Sequence, residues 1–448
     1  MRQIRPRWLD LIWLAALMLY AVAGTSQATF HGDEAMQIAM SRDYWTGVID
    51  GDFASLTTQP PYPIDSDAYL RLINGSVNRY LIGFAWQFAG YSRDQLPPSP
   101  GWQWALDYAN NVQLGFRSAN ALLHVARLPS ALLLALSIPI LFILGSMGGG
   151  RVGAYLATAL YTLSPVILLN GRRAMQEGSL LCFGLLALLL AAHIANRRVA
   201  AGHAPLSWWA ALIGACALTF ASKHSGIIFI GGAFGWIIAG ELTHFHSRRV
   251  INLAFKTAVS VLIIIVLFIG LSPALWNDPP ARIADLLDTR AQLLDMQVSV
   301  NGGEISVIDR IKAVFLQPYS VPAVHYEAEF WSDDQTIGRE IDAYIGSGLA
   351  GVTLGLLSWI FIFVSIGGIL FLIAALRRGT PASRAYAAGL CMTGLIVVIS
   401  TMASPLAWQR YYLPLLPVVY LCAAYAPQAF LHSLDGEEVL TTAVPQKR

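Results

Sequence analysis

Apolar stretches of membrane-crossing length recur along this chain, and that recurrence constrains its fold more than any other feature. A helix needs about 20 mostly apolar residues to cross the bilayer, and about ten stretches qualify. They are 8–24, 128–147, 152–170, 178–194, 207–221, 225–240, 251–271, 349–376, 385–403 and 408–426. With 56% hydrophobic and 12% charged residues and a mean hydropathy of +0.54, the chain is too apolar for an ordinary soluble protein. The expected class is an all-α polytopic membrane protein with about ten transmembrane helices, interfacial helices and two large external loops.

The placement of Lys and Arg sets the orientation. Arg2, Arg5 and Arg7, Arg151, Arg197 with Arg198, Arg248 with Arg249, and Arg377, Arg378 and Arg384 fall on one side if the stretches alternate. That side reads as cytoplasmic, with both termini on it, in the plasma membrane of a prokaryote. The other side receives residues 25–127 and 272–348, both rich in acids. The alternation closes only if the apolar run 72–91, interrupted by Asn74, Asn78 and Arg79, lies in the interface as an amphipathic helix. A cleaved leader is the alternative reading of 8–24, with small residues near Ser26 and Ala28 as cleavage candidates. Either way, Asp33 and its neighbours are external. No internal repeat or Gly/Ser linker divides the chain, so residues 1–448 read as one membrane domain with two loops folded over it.

The net charge of +2 comes from charges scattered along the chain, with no basic run of the kind that binds nucleic acid. Cys182, Cys216, Cys391 and Cys422 all lie in apolar stretches without CxxC spacing. They read as small buried hydrophobes, neither a disulfide framework nor a metal site.

Three basic sites break the sidedness: Arg172 and Arg173 in LLNGRRAMQEGSLL, Lys223 in FASKHSGIIF, and Arg410 in AWQRYYLPLLP. Each falls at the external end of a stretch, where a cation near hydrocarbon is costly unless it finds a partner. Taken singly, each has an ordinary reading: arginine snorkelling to headgroups, a polar hairpin turn around Lys223, His224 and Ser225, or pairing of Arg410 with a local acid or a lipid phosphate. Together on one face they point to a shared anion. Asp33 and Glu34, in ATFHGDEAMQIAM, read either as first-turn acids meeting a helix dipole or as a base beside that anion. A base for a hydroxyl proton and cations for a departing phosphate are what group transfer from a phosphate ester requires.

Five segments, in order along the chain, resemble the C-type membrane glycosyltransferases that use lipid-phosphate sugars, including the protein O-mannosyltransferases and the aminoarabinose transferase acting on lipid A. HGDEA resembles the family's first-loop acidic motif. LSPVILLNGRRAMQEGSLLCFGLLAL resembles its Arg, four residues, Asp-or-Glu segment, with Arg172 and Glu177 in the matching places. LTFASKHSGIIFI is similar to its Ser-Lys-Tyr-Thr-Gly segment, with Lys223 matched and His224 where Tyr is common. LSPALWNDPPARI resembles the proline and tryptophan approach to the large loop, and QRYYLPLLPVVYL the last span. LINGSVNRYLIGFAWQFAGY stands where members often carry His-Pro-Pro-Leu.

The resemblance implies a polyprenyl-phosphate monosaccharide donor, a protein, lipid or glycan acceptor, and inverting transfer to a hydroxyl on the external face. Asp33 would be the general base, with Glu34 serving instead, or holding the acceptor or a metal. Lys223 and Arg172, with Arg410 and Tyr411, would bind the donor phosphate; the residues do not say whether Arg172 or Arg173 faces the site. Glu177 would orient Arg172, its other reading being a dipole-facing acid, and His224 would support Lys223. Trp276, Asp278, His325, Tyr326 and Glu327 are acceptor-side candidates. A divalent metal near Asp33 and Glu34 is the cofactor these residues leave room for; no His cluster has the spacing of a dedicated zinc site. A lipid-linked sugar flippase or transporter is the alternative function. It would call for charges near the bilayer midplane and broken helices, not cations at span ends. An inactive assembly protein retaining the fold is a third reading.

Overall fold

The computed structural model describes residues 7–244, 247–327 and 329–434, and among these the regular elements are helices. Arg2, Arg5 and both chain ends, to which the expectation of cytoplasmic termini refers, lie outside the described residues, as does the side chain of Arg248. Helix α1 (Trp8–Ala23) leads into a first long segment carrying α2 (Gly32–Met40), α3 (Asp67–Ile73) and α4 (Val77–Phe88). A bundle comes next: α5 (Asn120–Leu163), α6 (Pro165–Arg172), α7 (Glu177–Ala201), α8 (Leu206–Ser222), α9 (Ile227–Leu242) and α10 (Ser247–Leu271). The second long segment holds α11 (Pro279–Val300), α12 (Val307–Leu316) and α13 (Gln335–Gly346), before α14 (Leu357–Arg378), α15 (Pro381–Met402) and α16 (Leu415–Leu434).

Hydrocarbon offers backbone groups no hydrogen-bond partners, so apolar runs of this length satisfy themselves as helices. Six of those described are long and apolar enough to cross a membrane, and α1, α8 and α16 are apolar but shorter. Helix α7 is the centre of the bundle, with 78% of its apolar window buried, whereas α10 and α14 bury only 22% of theirs. Phe255, Leu262, Ile360 and Phe363 stand exposed on those outer helices, a surface suited to lipid.

Several expected boundaries shift, each for a local reason. The stretches 128–147 and 152–163 form one 44-residue helix, α5, bent at Gly150 (φ 60). Pro165, which can only open a helix without losing an amide bond, starts α6 behind the Ser164 cap. The stretch expected from 349 becomes helical only at Leu357, because 349–356 is irregular backbone tied to its surroundings, Val352 N–H donating to the Leu163 carbonyl at 2.8 Å. The last expected span begins at Leu415, and the short turn Gln409–Tyr412 ahead of it carries Arg410. The run 72–91 is split between α3 and α4. The latter has 12 residues, reaching roughly 18 Å, too little to cross. It buries Asn78, Arg79, Ile82 and Trp86 while Phe84 and Phe88 are exposed.

Helix α7, at 25 residues, reaches roughly 37 Å, and its two ends hold different ion pairs. Near its C-terminus, buried Arg198 donates from Nε to Glu241 at 2.8 Å. At its N-terminus Glu177 meets Lys223. The second end is where the candidate site lies. The free cysteines match the sequence expectation: Cys182, Cys216 and Cys422 are buried and Cys391 is half-buried.

Candidate active site

Helix α2 begins with a reciprocal cap. His31 Nδ1 accepts the Asp33 N–H at 3.1 Å, and Glu34 Oε2 accepts the His31 N–H at 3.0 Å. With Nδ1 accepting, the imidazole proton belongs on Nε2, which lies 3.1 Å from Glu327 Oε2. Successive helical residues point about 100° apart, so the neighbouring carboxylates part company. Glu34 turns into the protein and Asp33 turns out.

Glu34 has no exposed surface and every oxygen is occupied. Arg127 grips it in two places, Nε to Oε1 at 2.7 Å and Nη2 to Oε2 at 2.8 Å, and Ala174 N–H donates to Oε1 at 2.8 Å. Burial alone would raise its carboxyl, but Arg127, Arg173 and the Ala174 amide outweigh burial and hold it below the ordinary range. Glu34 pins α2 to α5 and to the turn after α6. It presents nothing to a ligand.

Asp33 keeps 29% of its side chain exposed and pairs directly with Arg410. Arg410 Nε lies 2.6 Å from Glu327 Oε1, and His31 Nδ1 lies 3.8 Å from Asp33 Oδ2. The four groups close a ring in the order Asp33, Arg410, Glu327, His31, two carboxylates alternating with a guanidinium and an imidazole. Burial pushes the Asp33 carboxyl up, yet Arg410 brings it below its ordinary value against the repulsion of Glu327. Glu327 is likewise raised by burial and lowered far more by Arg410 and the His31 N–H. Arg410 is held charged by both acids.

Beside the ring lies a second cationic group. Lys223 Nζ donates to Glu177 Oε1 at 2.6 Å; Lys223 keeps 16% of its side chain exposed, and Glu177 Oε2 is buried without a hydrogen-bond partner. This corrects the expected pairing of Glu177 with Arg172: Lys223 at the end of α8 reaches the N-terminus of α7 instead. Glu177 acts electrostatically on Arg410, and Tyr411, stacked on Trp408, feels Arg410, Arg290, Glu327 and Asp33. Arg290 of α11 also acts electrostatically on Tyr411. His224 packs edge-on against Phe220 and Phe268, forming an apolar shoulder to Lys223.

Both arginines of the GRR segment are buried, and neither makes an ion pair with a member of the ring, although Arg173 acts electrostatically on Glu327. Arg172 donates from Nε to the Ala21 carbonyl (2.7 Å), from Nη2 to that of Tyr20 (2.5 Å), and from Nη1 to the Tyr344 hydroxyl (2.9 Å) and the Leu349 carbonyl. Arg173 donates from Nε to the Thr29 carbonyl (3.1 Å) and from Nη2 to the Thr29 hydroxyl and the His325 carbonyl, both at 2.9 Å. With guanidinium groups committed to protein oxygens, the pair ties α1, the 25–31 segment and the second long segment together.

The acceptor-side candidates divide. Glu327 belongs to the ring, and Tyr326 is buried and stacked on His31, with centroids 4.8 Å apart. His325 is buried behind them, its Nδ1 2.8 Å from the Thr29 hydroxyl, and burial together with Arg173 pushes it down to about 3. Trp276 donates to the Ile269 carbonyl at 2.8 Å and packs on Phe53, while Asp278 (φ 66) caps α11. Neither has a contact with the ring. Among the described residues no group of three or more His, Cys, Asp or Glu side chains is arranged to hold a metal; Asp33 and Glu34 diverge, and Arg410 fills the gap between Asp33 and Glu327.

His31, Arg127 and Arg290 escape the motif reading. His31 sits inside HGDEA without an obvious task. Arg127 lies at the end of the 128–147 stretch that the sequence reading places outside, so the rule that picks out Arg172, Lys223 and Arg410 applies to it as well. Arg290 is one of many charges in a polar helix, and only folding brings it here.

Two solved structures share the architecture. ArnT from Cupriavidus metallidurans bound to undecaprenyl phosphate superposes with a TM-score of 0.54 at 13% identity, over 96% of this chain and 62% of that one. The archaeal oligosaccharyltransferase AglB from Archaeoglobus fulgidus, in complex with an inhibitory peptide and a dolichol-phosphate, gives 0.51 at 14% identity, over 99% and 53%. The chain therefore spans less than two thirds of either structure's length. No protein-family model and no curated protein matches it. At these identities the likeness establishes the fold.

Proposed function

From the C-type glycosyltransferase fold of this chain, we propose that it transfers a monosaccharide from a polyprenyl-phosphate donor to an acceptor hydroxyl on the external face of the membrane, with inversion at the anomeric carbon. The observation that carries the reading is the partly exposed Asp33 carboxylate against Arg410, with Lys223 held by Glu177, which acts electrostatically on Arg410. The two structures with this fold hold lipid phosphates, and a lipid-phosphate donor is our extension to this chain. Its tail would stay in the bilayer while residues 25–127 and 272–348 cover the external face of a single domain.

Asp33 takes the proton of the acceptor hydroxyl as that oxygen attacks the anomeric carbon. The bond from carbon to the phosphate oxygen breaks, and its electron pair leaves with the phosphate. Arg410, Lys223, Arg290 and Tyr411 face that growing charge, Arg as a fork and Lys as a compact point charge. The arriving phosphate competes with Asp33 for Arg410. Loss of that partner raises the Asp33 carboxyl and makes it a better base once the donor is seated. Glu34, Arg172 and Arg173 hold the scaffold.

The test uses purified protein in lipid vesicles with radiolabelled polyprenyl-phosphate sugars and a membrane extract as acceptor source. Expected is release of free polyprenyl phosphate and a labelled acceptor by the wild type, and neither by Asp33→Asn, which still binds donor. Movement of intact donor across the bilayer without cleavage of the sugar–phosphate bond would overturn the reading in favour of a transporter.

A further inference from the structure

We propose that Trp104 is a stacking platform for a sugar ring of the acceptor, so that the acceptor is a glycan; this rests on the transferase reading above. The indole belongs to the GWQW turn, which none of the motifs explains. Trp102 of that turn is fully buried against Phe30, Tyr108 and Trp331. Gly101 (φ 89) brings the backbone so close to α2 that a Cβ there would lie 2.4 Å from the Ala35 carbonyl. The turn is thereby clamped onto the helix that carries Asp33.

Trp104 stands edge-on to Trp331 at 5.6 Å and against His31 at 5.5 Å, yet 37% of it remains exposed. A ring serving only the aromatic core would be closed over like Trp102. Trp104 contacts the His31 imidazole, whose two nitrogens lie 3.8 Å from Asp33 and 3.1 Å from Glu327. In the order of contacts, the two carboxylates stand between His31, which Trp104 touches, and Arg410. A group resting on the indole approaches Asp33 from the acceptor side.

The chemistry there selects its ligand. A pyranose offers an apolar C–H face to an aromatic ring and hydroxyl donors at its rim, and ionised carboxylates can only accept. An acyl chain would strand both carboxylates against hydrocarbon. A peptide also has N–H and hydroxyl donors for the carboxylates, but its backbone offers the indole no saturated ring face, so a peptide is the contrast in the test.

The experiment needs no donor and no turnover. Saturation-transfer NMR on full-length protein in nanodiscs would be read for maltotriose, chitotriose, mannotriose and a Ser/Thr-rich peptide, with thermal melting to verify folding. Expected is binding of at least one trisaccharide, weakened about tenfold by Trp104→Ala and by less than about threefold by Trp104→Phe, the range of an aromatic stacking contact. Trisaccharide binding unchanged in a folded Trp104→Ala protein would overturn the proposal. So would binding of the peptide alone, or of none of the probes. Labelled sugar passing to a peptide or lipid in the transfer assay, with no trisaccharide bound, would sink this inference and leave the transferase reading standing; trisaccharide bound at Trp104 without any transfer would overturn the transferase reading and, with it, the acceptor role of Trp104.

Discussion

Arg410 and Asp33, 377 residues apart in the chain, form a direct ion pair, and the same guanidinium meets Glu327 along its Nε edge. A cation that serves two carboxylates is the point at which an incoming anion would change the site most.

Asp33→Asn keeps the shape of the side chain and removes its basicity. Transfer is expected to fall by about 10²–10⁴-fold, the range for a lost general base, with donor affinity and melting temperature near wild type. Steady-state kinetics beside a donor-binding isotherm provide the check.

Arg410→Ala removes the cation that lowers the Asp33 carboxyl. Donor KM is expected to rise, and the acid limb of kcat/KM, set by Asp33 in the free protein, to move to higher pH. A pH–rate profile on both proteins checks the sign; a limb moving to lower pH, or staying put, contradicts it.

Lys223→Ala and Arg172→Ala separate ligand binding from scaffolding. Lys223 is partly exposed, and its loss is expected to weaken donor binding; it also leaves buried Glu177 unpaired, so a lowered melting temperature accompanies the lost affinity. Arg172 satisfies three carbonyls and a tyrosine hydroxyl in the interior. Its removal is expected to cost about 2–4 kcal/mol of stability, read as a lowered melting temperature, with donor affinity retained in the surviving folded fraction.

Glu34→Gln breaks a buried, two-point ion pair and is expected to destabilise by about 3–5 kcal/mol. Because the folded carboxyl lies below its unfolded value of 4.5, the wild-type pair contributes stability fully above that pH and loses it as pH falls through the folded value. Acid unfolding followed by circular dichroism should therefore begin at higher pH in a variant that lacks the contribution of Glu34 than in the wild type.

The helical, lipid-exposed character of this protein was legible in composition, because the preference of a long apolar run for hydrocarbon does not depend on what it packs against. Cations at span ends were legible for the same reason: charge near hydrocarbon is expensive wherever it occurs. Lys223 and Arg410 were singled out by that logic, and Asp33 by the family resemblance; the fold pairs Asp33 with Arg410. The choice of partners was decided only by the fold. Ion pairing is settled over a few ångströms, by the rotation of each helix and the point where it ends. Successive residues on α2 separate Asp33 from Glu34, the N-terminus of α7 delivers Glu177 to Lys223 and not to Arg172, and the 317–327 segment brings Glu327 beneath Arg410. No spacing along the chain encodes such encounters between distant segments.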